Sequence, residues 1–150
     1  MPGPLWLAVT ADDQVWVYKD GVEVFYSGVW DEGHWVNLGH TCLLALKAAE
    51  SGYYYHGVLA SSSTGMVTDE TWKCSAVHED GWNLLAFDDS AWLAASVYGA
   101  NGDSRLQYIS PISSGAKVMP FPLRSIVKAV MMCAFVPNPI VAAIGCPDSI

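Results

Sequence analysis

Five pairs of adjacent acidic residues are the first candidates for chemistry in this sequence. They are Asp12-Asp13, Asp31-Glu32, Asp69-Glu70, Glu79-Asp80 and Asp88-Asp89. Two carboxyl groups that folding brings together can act as the acid and base of a glycosidase, and carboxylate oxygens also bind calcium. Each pair, however, lies beside turn-forming residues, where an Asp side chain commonly accepts hydrogen bonds from backbone amides. We therefore expect these acids to stabilise turns, and we expect no enzymatic activity.

Aromatic residues lie beside histidines and acids in several stretches, notably residues 30–35 (WDEGHW), 53–56 (YYYH) and 78–92 (HEDGWNLLAFDDSAW). Aromatic rings that contact the C–H face of a sugar, next to polar groups for its hydroxyls, make up a carbohydrate site. The candidate ligand-binding residues are His34, Trp35, Tyr54, His56, His78, Asp80 and Trp82. The alternative is that most of these aromatic side chains fill a core, because a β-sandwich needs bulky inward residues.

Alternation of apolar and polar residues predicts short strands along the chain. Residues 14–18 (QVWVY) and 22–26 (VEVFY) are β-rich, and the Asp20-Gly21 step between them is typical of a hairpin turn. Residues 41–48 (TCLLALKA) read as a buried strand. No long amphipathic helix and no repeat are apparent. The pattern predicts one all-β domain over residues 1–150, an antiparallel β-sandwich.

Charge and hydropathy exclude some partners. The chain of 150 residues has a net charge of −8, so it would repel the phosphates of nucleic acids. Residues 125–145 are apolar and long enough to cross a bilayer, but Lys128 and a Pro137-Asn138-Pro139 turn interrupt them. We expect two buried strands there and no membrane span. A hydrophobic interface that forms a homo-oligomer is the alternative for this segment.

Three segments resemble the galactose-binding-domain-like β-sandwich modules found in lectin-like proteins. They are TADDQVWVYKDGVEV (10–24), CLLALKAAESGYYYHGVLASSS (42–63) and GWNLLAFDDSAWLAA (81–95). The last contains an F-D-D-S-x-W pattern that opens most such modules, so the order here looks permuted. The family-like part is residues 1–115, and residues 116–150 would supply divergent closing strands.

The resemblance implies a jelly roll that acts as a secreted, non-catalytic, lectin-like module for a glycan, assisted by calcium. The acid pair is similar to the calcium-binding Asp-Asp of related lectin modules, which points to Asp12 and Asp13. The alternatives from other classes are an extracellular-matrix interaction module and a carrier of a small apolar ligand. The F-D-D-S-x-W pattern further implies that Phe87 and Trp92 point into the sandwich, which leaves Trp82 and residues 78–80 free to bind.

Four cysteines, Cys42, Cys74, Cys133 and Cys146, allow two disulfides or four buried thiols. No CxxC spacing indicates zinc. For an extracellular module, the family-like part implies a Cys42–Cys74 bond, which leaves Cys133 to pair with Cys146.

Overall fold

The structure is a computed structural model that describes residues 5–50, 57–103, 108–120 and 129–135, with Glu50 and the last range described by their backbone alone. These residues form strands and no helix, which confirms the all-β prediction. The strands are β1 (Leu5–Asp12), β2 (Gln14–Lys19), β3 (Val22–Ser27), β4 (His34–Gly39), β5 (Leu44–Glu50), β6 (Gly57–Ser62), β7 (Lys73–Ser75), β8 (Leu93–Ala94), β9 (Gly99–Ala100), β10 (Lys117–Val118) and β11 (Ala129–Phe135).

Antiparallel pairing joins these strands into two principal sheets. The small sheet has the order β4-β1-β6, and the large sheet has the order β3-β2-β5-β11-β7-β8. Strands β9 and β10 form a separate two-stranded ribbon. Among the described residues, no helix is long and apolar enough to cross a membrane.

One hydrophobic core receives side chains from both principal sheets. Alternate residues of β1, β2 and β5 are buried in it, because successive side chains of a strand point to opposite faces. These residues are Leu5, Leu7, Val9, Ala11, Val15, Val17, Leu44, Leu46 and Ala48. The fully buried Trp72 joins them, and its indole N–H donates to the Val67 carbonyl at 3.1 Å. Two sheets that share a core in this way are compatible with a β-sandwich.

The predicted hairpin between β2 and β3 is confirmed. Asp20 and Gly21 have φ values of +49° and +87°, the left-handed conformation that a two-residue hairpin turn of type I′ requires. The Asp20 carboxylate also accepts hydrogen bonds from the backbone amides of Cys42 and Leu43, at 2.9 and 2.8 Å. The turn is thereby attached to the start of β5.

Each sheet also has an outer face, and a loop segment covers part of it. On the large sheet, residues 82–92 form an outer cluster with Leu43, Ala45 and Tyr18. On the small sheet, Ile109, Ile112 and Ala116 pack on Ala8 and Leu59. These loops cover only part of each outer face, and side chains such as Trp35 on the small sheet and Tyr26 on the large sheet remain exposed.

The predicted core strand near the C-terminal end is confirmed for residues 129–135. Strand β11 lies between β5 and β7 and pairs with both, so it is an interior strand of the large sheet. The Pro137-Asn138-Pro139 turn and the second strand expected beyond it lie outside the described residues. One backbone edge of β11 is paired with β5 along the whole strand, and the other is paired with β7 at residues 132–134.

The pairing predicted between Cys42 and Cys74 is wrong. Both residues are disulfide-bonded, and no described cysteine is free. Strand β11 separates the strand that follows Cys42 from the strand that contains Cys74, which puts their backbones about 10 Å or more apart. Disulfides require Cα atoms within about 7 Å of each other. The register instead places Cys133 directly opposite Cys74.

Disulfide mapping tests this register. We expect non-reducing peptide mapping to recover Cys74 linked to Cys133, and the remaining pair to be Cys42 with Cys146. Reduction of a bond that closes a loop of this length is expected to cost about 4 kcal/mol of stability in the chain-entropy description. A peptide that links Cys42 to Cys74 would contradict the strand order.

Candidate functional site

The candidate ligand-binding residues do not form one cleft. Tyr54 and His56 lie outside the described residues. His78 and Asp80 are exposed in the loop that follows β7, whereas Trp82 is buried. His34 and Trp35 are adjacent in β4 and therefore point to opposite faces of the small sheet.

His34 has a structural position at the end of the core. Its Nε2 lies 3.0 Å from the Ser27 hydroxyl, and its ring is 5.6 Å from the ring of Phe25, which packs against the core. The Ser27 hydroxyl also accepts a hydrogen bond from the Val29 amide at 3.0 Å. These contacts hold the start of the loop between β3 and β4, and they direct His34 away from Trp35.

Trp82 is a core residue, which corrects the expectation that it is free to bind a ligand. Its exposed fraction is 5 %. The Tyr18 ring meets it edge-on at 5.3 Å, and the Trp92 ring stacks on it at 6.4 Å. Burial raises the pKa of the Tyr18 hydroxyl, and the nearby Glu23 carboxylate raises it further, so Tyr18 stays neutral.

Phe87 and Trp92 also differ from expectation, because they do not point between the two sheets. They pack with Trp82 on the outer face of the large sheet. The turn role expected at Asp88 is confirmed, since its carboxylate accepts from the Ser90 amide at 3.0 Å. The hydrogen bonds that Ser90 donates lower the pKa of Asp88.

Other acidic pairs also serve local structure. Asp69 accepts a hydrogen bond from the Thr71 amide at 2.8 Å, and Asp89 forms an ion pair with Lys73 at 3.3 Å. Glu70 forms an ion pair with Lys117 at 3.0 Å. A backbone hydrogen bond and this lysine lower the pKa of Glu70. These contacts hold loops onto strands.

Asp12 and Asp13 connect β1 to β2 through a cis peptide bond, and both side chains are half-buried. The Asp13 amide donates to the Ala49 carbonyl at 3.0 Å. Calcium takes six to eight oxygen ligands. No group of three or more potential metal-ligating side chains occurs among the residues that the structure describes. The two carboxylates therefore do not make a calcium site with the described side chains alone.

An exposed tryptophan pair lies on the outer face of the small sheet. Trp6 is directly opposite Asn37, and Trp35 is directly opposite Ala8, so the tryptophans are diagonal neighbours on one face, about 7 to 8 Å apart. Their exposed fractions are 40 % and 51 %. Neither indole makes a ring contact or hydrogen bond with another described residue. We refer to Trp6, Trp35 and Asn37 as the tryptophan platform.

Polar but uncharged groups surround the tryptophan platform. The Ser63 hydroxyl accepts from the Trp6 amide at 3.1 Å, and the Asn37 side-chain oxygen accepts from the Gly39 amide at 3.0 Å. The Asn37 NH₂ group has no partner within the described part of the chain. The outward strand positions beside the tryptophans are Ala8, Ser61 and Ser63, and none of these three carries a charge. Ala8 and Ser61 are buried under the loop that contains Ile112 and Ser113.

The loop segment of residues 110–112 bounds the platform at the start of β4. Gly33 is two residues from Trp35 and faces the same side of the sheet, and a Cβ atom there would lie 3.0 Å from Pro111 and Ile112. The Gly33 amide donates to the Ser110 carbonyl at 2.9 Å. The absence of a side chain at Gly33 lets this loop pack close to the sheet, and the loop also covers Ala8, the residue directly opposite Trp35.

Sequence reasoning found Trp35 but missed Trp6 and Asn37. The signal was present, because residues 5–12 (LWLAVTAD) alternate and place Trp6 opposite in direction to Leu5 and Leu7.

Comparison of the chain with protein-family models, with curated proteins and with solved structures finds no match in any of the three.

Truncation of two tryptophans distinguishes the buried from the exposed position. Trp82→Ala is expected to lower the free energy of unfolding by about 3–5 kcal/mol, because it empties part of the outer cluster. The matched change Trp35→Ala is expected to alter it by no more than about 0.5 kcal/mol. Urea unfolding measures both values. Equal losses in the two variants would contradict this assignment.

Calcium binding is tested by melting temperature with and without a chelator. If Asp12 and Asp13 bind the ion with further oxygen ligands, calcium should raise the melting temperature of the parent protein and not that of Asp12→Asn/Asp13→Asn. The metal-free variant should melt close to the parent. A parent protein whose melting temperature calcium does not change would contradict a calcium site.

Proposed function

We propose that this chain is a non-catalytic, lectin-like module that binds a neutral glycan on the tryptophan platform. The observation that carries the proposal is the pair of exposed, diagonally neighbouring indole rings of Trp6 and Trp35. Large exposed aromatic side chains expose apolar area to water, and a contiguous patch of them is typical of a binding surface. A ligand that covers both rings recovers that area.

The chemistry of the platform favours a sugar over a purely apolar ligand. A pyranose has an apolar C–H face that can lie on an indole ring and hydroxyl groups at its rim. The Asn37 NH₂ group and the Ser63 hydroxyl lie at the edge of the platform, where they can bind such hydroxyls. The absence of neighbouring charge favours a neutral sugar, since an ionic group would lose hydration without gaining a counter-charge.

The fold class and the cysteines support the wider proposal. Antiparallel sheets around one core are compatible with the galactose-binding-like jelly roll that the sequence resembles. The disulfide-bonded state of Cys42 and Cys74 favours a secreted protein, because disulfides persist mainly in oxidising compartments. Calcium remains part of the proposal only through Asp12 and Asp13, and the glycan platform does not depend on it.

A protein-interaction module is the second candidate function. Strand β3 forms one edge of the large sheet and exposes Val22 and Val24. An exposed edge strand can pair with a strand of another chain. Size measurement over a range of concentrations distinguishes this function, because it requires a dimer or a partner complex.

An array of neutral oligosaccharides, probed with the full chain, tests glycan binding. We expect selective binding, and we expect Trp35→Ala to weaken it about tenfold or more, as truncation at a central contact does. Leu93→Ala is the control, since Leu93 is also exposed but lies in β8 at the edge of the large sheet, on a different sheet from the platform. An unbound array, or equal loss in both variants, would contradict a glycan site at the platform.

A further inference from the structure

A second group of aromatic and polar side chains crosses the outer face of the large sheet. Tyr26, Trp16 and Lys47 occupy directly opposite positions on β3, β2 and β5. The Trp16 and Tyr26 ring centroids are 5.1 Å apart, and the Lys47 ammonium lies 4.9 Å from the Trp16 ring centroid. Gln14 donates a hydrogen bond from its side-chain amide to the Tyr26 hydroxyl at 2.9 Å. We refer to these four residues as the lysine row.

Lys47 has no carboxylate partner among the described residues. Lys73 and Lys117 form ion pairs, whereas Lys47 and Lys19 form none with any described residue. Acids outnumber lysines and arginines by 15 to 7 in this chain, so a half-buried lysine without an acid beside it is notable. Its contact with the Trp16 ring is worth about 0.5–2 kcal/mol and does not neutralise its charge.

No described neighbour of Lys47 on β2 or β5 carries a charge that compensates its own. The positions opposite and diagonal to it on β2 are Trp16, Gln14 and Tyr18, and all three side chains are uncharged. Its outward-facing neighbours along β5 are Ala45 and Ala49, whose small side chains do not cover it. Among the described residues, the strand positions nearest the ammonium group on β2 and β5 are therefore neutral and partly apolar, and the Glu23 carboxylate lies one strand farther away, opposite Tyr18.

The outer cluster bounds the lysine row on one side. Two residues along β2 from Trp16, Tyr18 is covered by Trp82 of the outer cluster, which forms a wall. On the other side lies Gln14, which begins the strand and is half-buried. Tyr26 is 46 % exposed at the sheet edge. From β3 to β5 the row spans about 10 Å, two inter-strand spacings.

From this geometry we propose that the lysine row is a second ligand site, which binds a saccharide that carries a carboxylate, such as a uronic acid. The Lys47 ammonium pairs with the carboxylate, the exposed Tyr26 ring contacts the C–H face of the sugar, and the Gln14 amide and Tyr26 hydroxyl bind its hydroxyl groups. A charge-assisted hydrogen bond to Lys47 compensates the charge that the surrounding residues leave unpaired.

This site is independent of the platform. The two lie on the outer faces of different sheets and share no residue. The described strand positions beside the rings of the platform hold no charge, whereas the lysine row has one cation, so the two sites favour different sugars. The net charge of −8 opposes the approach of a long polyanion but only weakly opposes a short saccharide with few carboxylates at physiological salt.

Calorimetric titration of the full chain with trigalacturonic acid, and with its methyl ester as the neutral probe, tests the proposal. We expect the acid to bind about tenfold or more tightly than the ester, because loss of a charged hydrogen bond has that effect. Higher salt should weaken binding of the acid and leave the ester unchanged. Equal affinity for the two probes, or no binding of the acid, would overturn the proposal.

Two substitutions of one residue complete the test. Lys47→Met keeps an unbranched side chain on Trp16 and removes the charge, so it should abolish the preference for the acid. Lys47→Arg keeps the charge and should retain the preference. If Lys47→Met folds with an unchanged melting temperature and still prefers the acid, Lys47 is not the carboxylate ligand. If it fails to fold, loss of the preference for the acid in Lys47→Arg overturns the proposal instead.

Trp35→Ala separates this inference from the proposed function. It should remove neutral glycan binding and leave the affinity for trigalacturonic acid unchanged. Loss of acid binding in Trp35→Ala would overturn an independent second site, whereas a blank neutral array with intact acid binding would contradict only the platform.

Discussion

Burial of alternate residues of β1, β2 and β5 between the two sheets is the constraint on which the rest of the structure depends. Because Leu7 and Val17 point inward, Trp6 and Trp16 in the same strands must point outward. A shift of one residue in either strand would expose the apolar set and bury the tryptophans, so the packing of the core determines the register. The outward surfaces of both sheets follow directly from that packing.

The outer faces are only partly covered, and the loops that cover them do so by burying aromatic or branched apolar side chains. On the large sheet, Trp82 and Trp92 pack over Tyr18 and Ala45, where the small alanine leaves room for an indole ring. On the small sheet, Gly33 lets Pro111 and Ile112 approach the backbone. The aromatic side chains that these loops do not cover, such as those of Trp6 and Trp35, remain in contact with water.

The two uncovered surfaces differ in charge, and this difference follows from which residues occupy outward positions. Beside Trp6 and Trp35 those positions hold alanine, asparagine and serine, whereas beside Trp16 they include Lys47. A flat neutral aromatic surface and an aromatic surface with one cation favour ligands of different chemistry. A single fold can therefore present two sites, which the two proposals assign to a neutral glycan and to an acidic saccharide.

Local pattern was sufficient for the parts of this protein in which neighbouring residues decide the conformation. Alternation in residues 14–18 and 22–26, and the Asp20-Gly21 step, predicted a hairpin because side-chain period and positive φ are properties of a few consecutive residues. The same period of two places Trp35 and His34 on opposite faces of β4, although both were expected to line one ligand cleft. The tertiary structure decided the rest. Residues 78–92 have no period, so only packing against Tyr18 and Ala45 determined that Trp82 is buried. The partner of Cys74 depended on the insertion of β11 between β5 and β7, a pairing between segments more than fifty residues apart that no local pattern encodes.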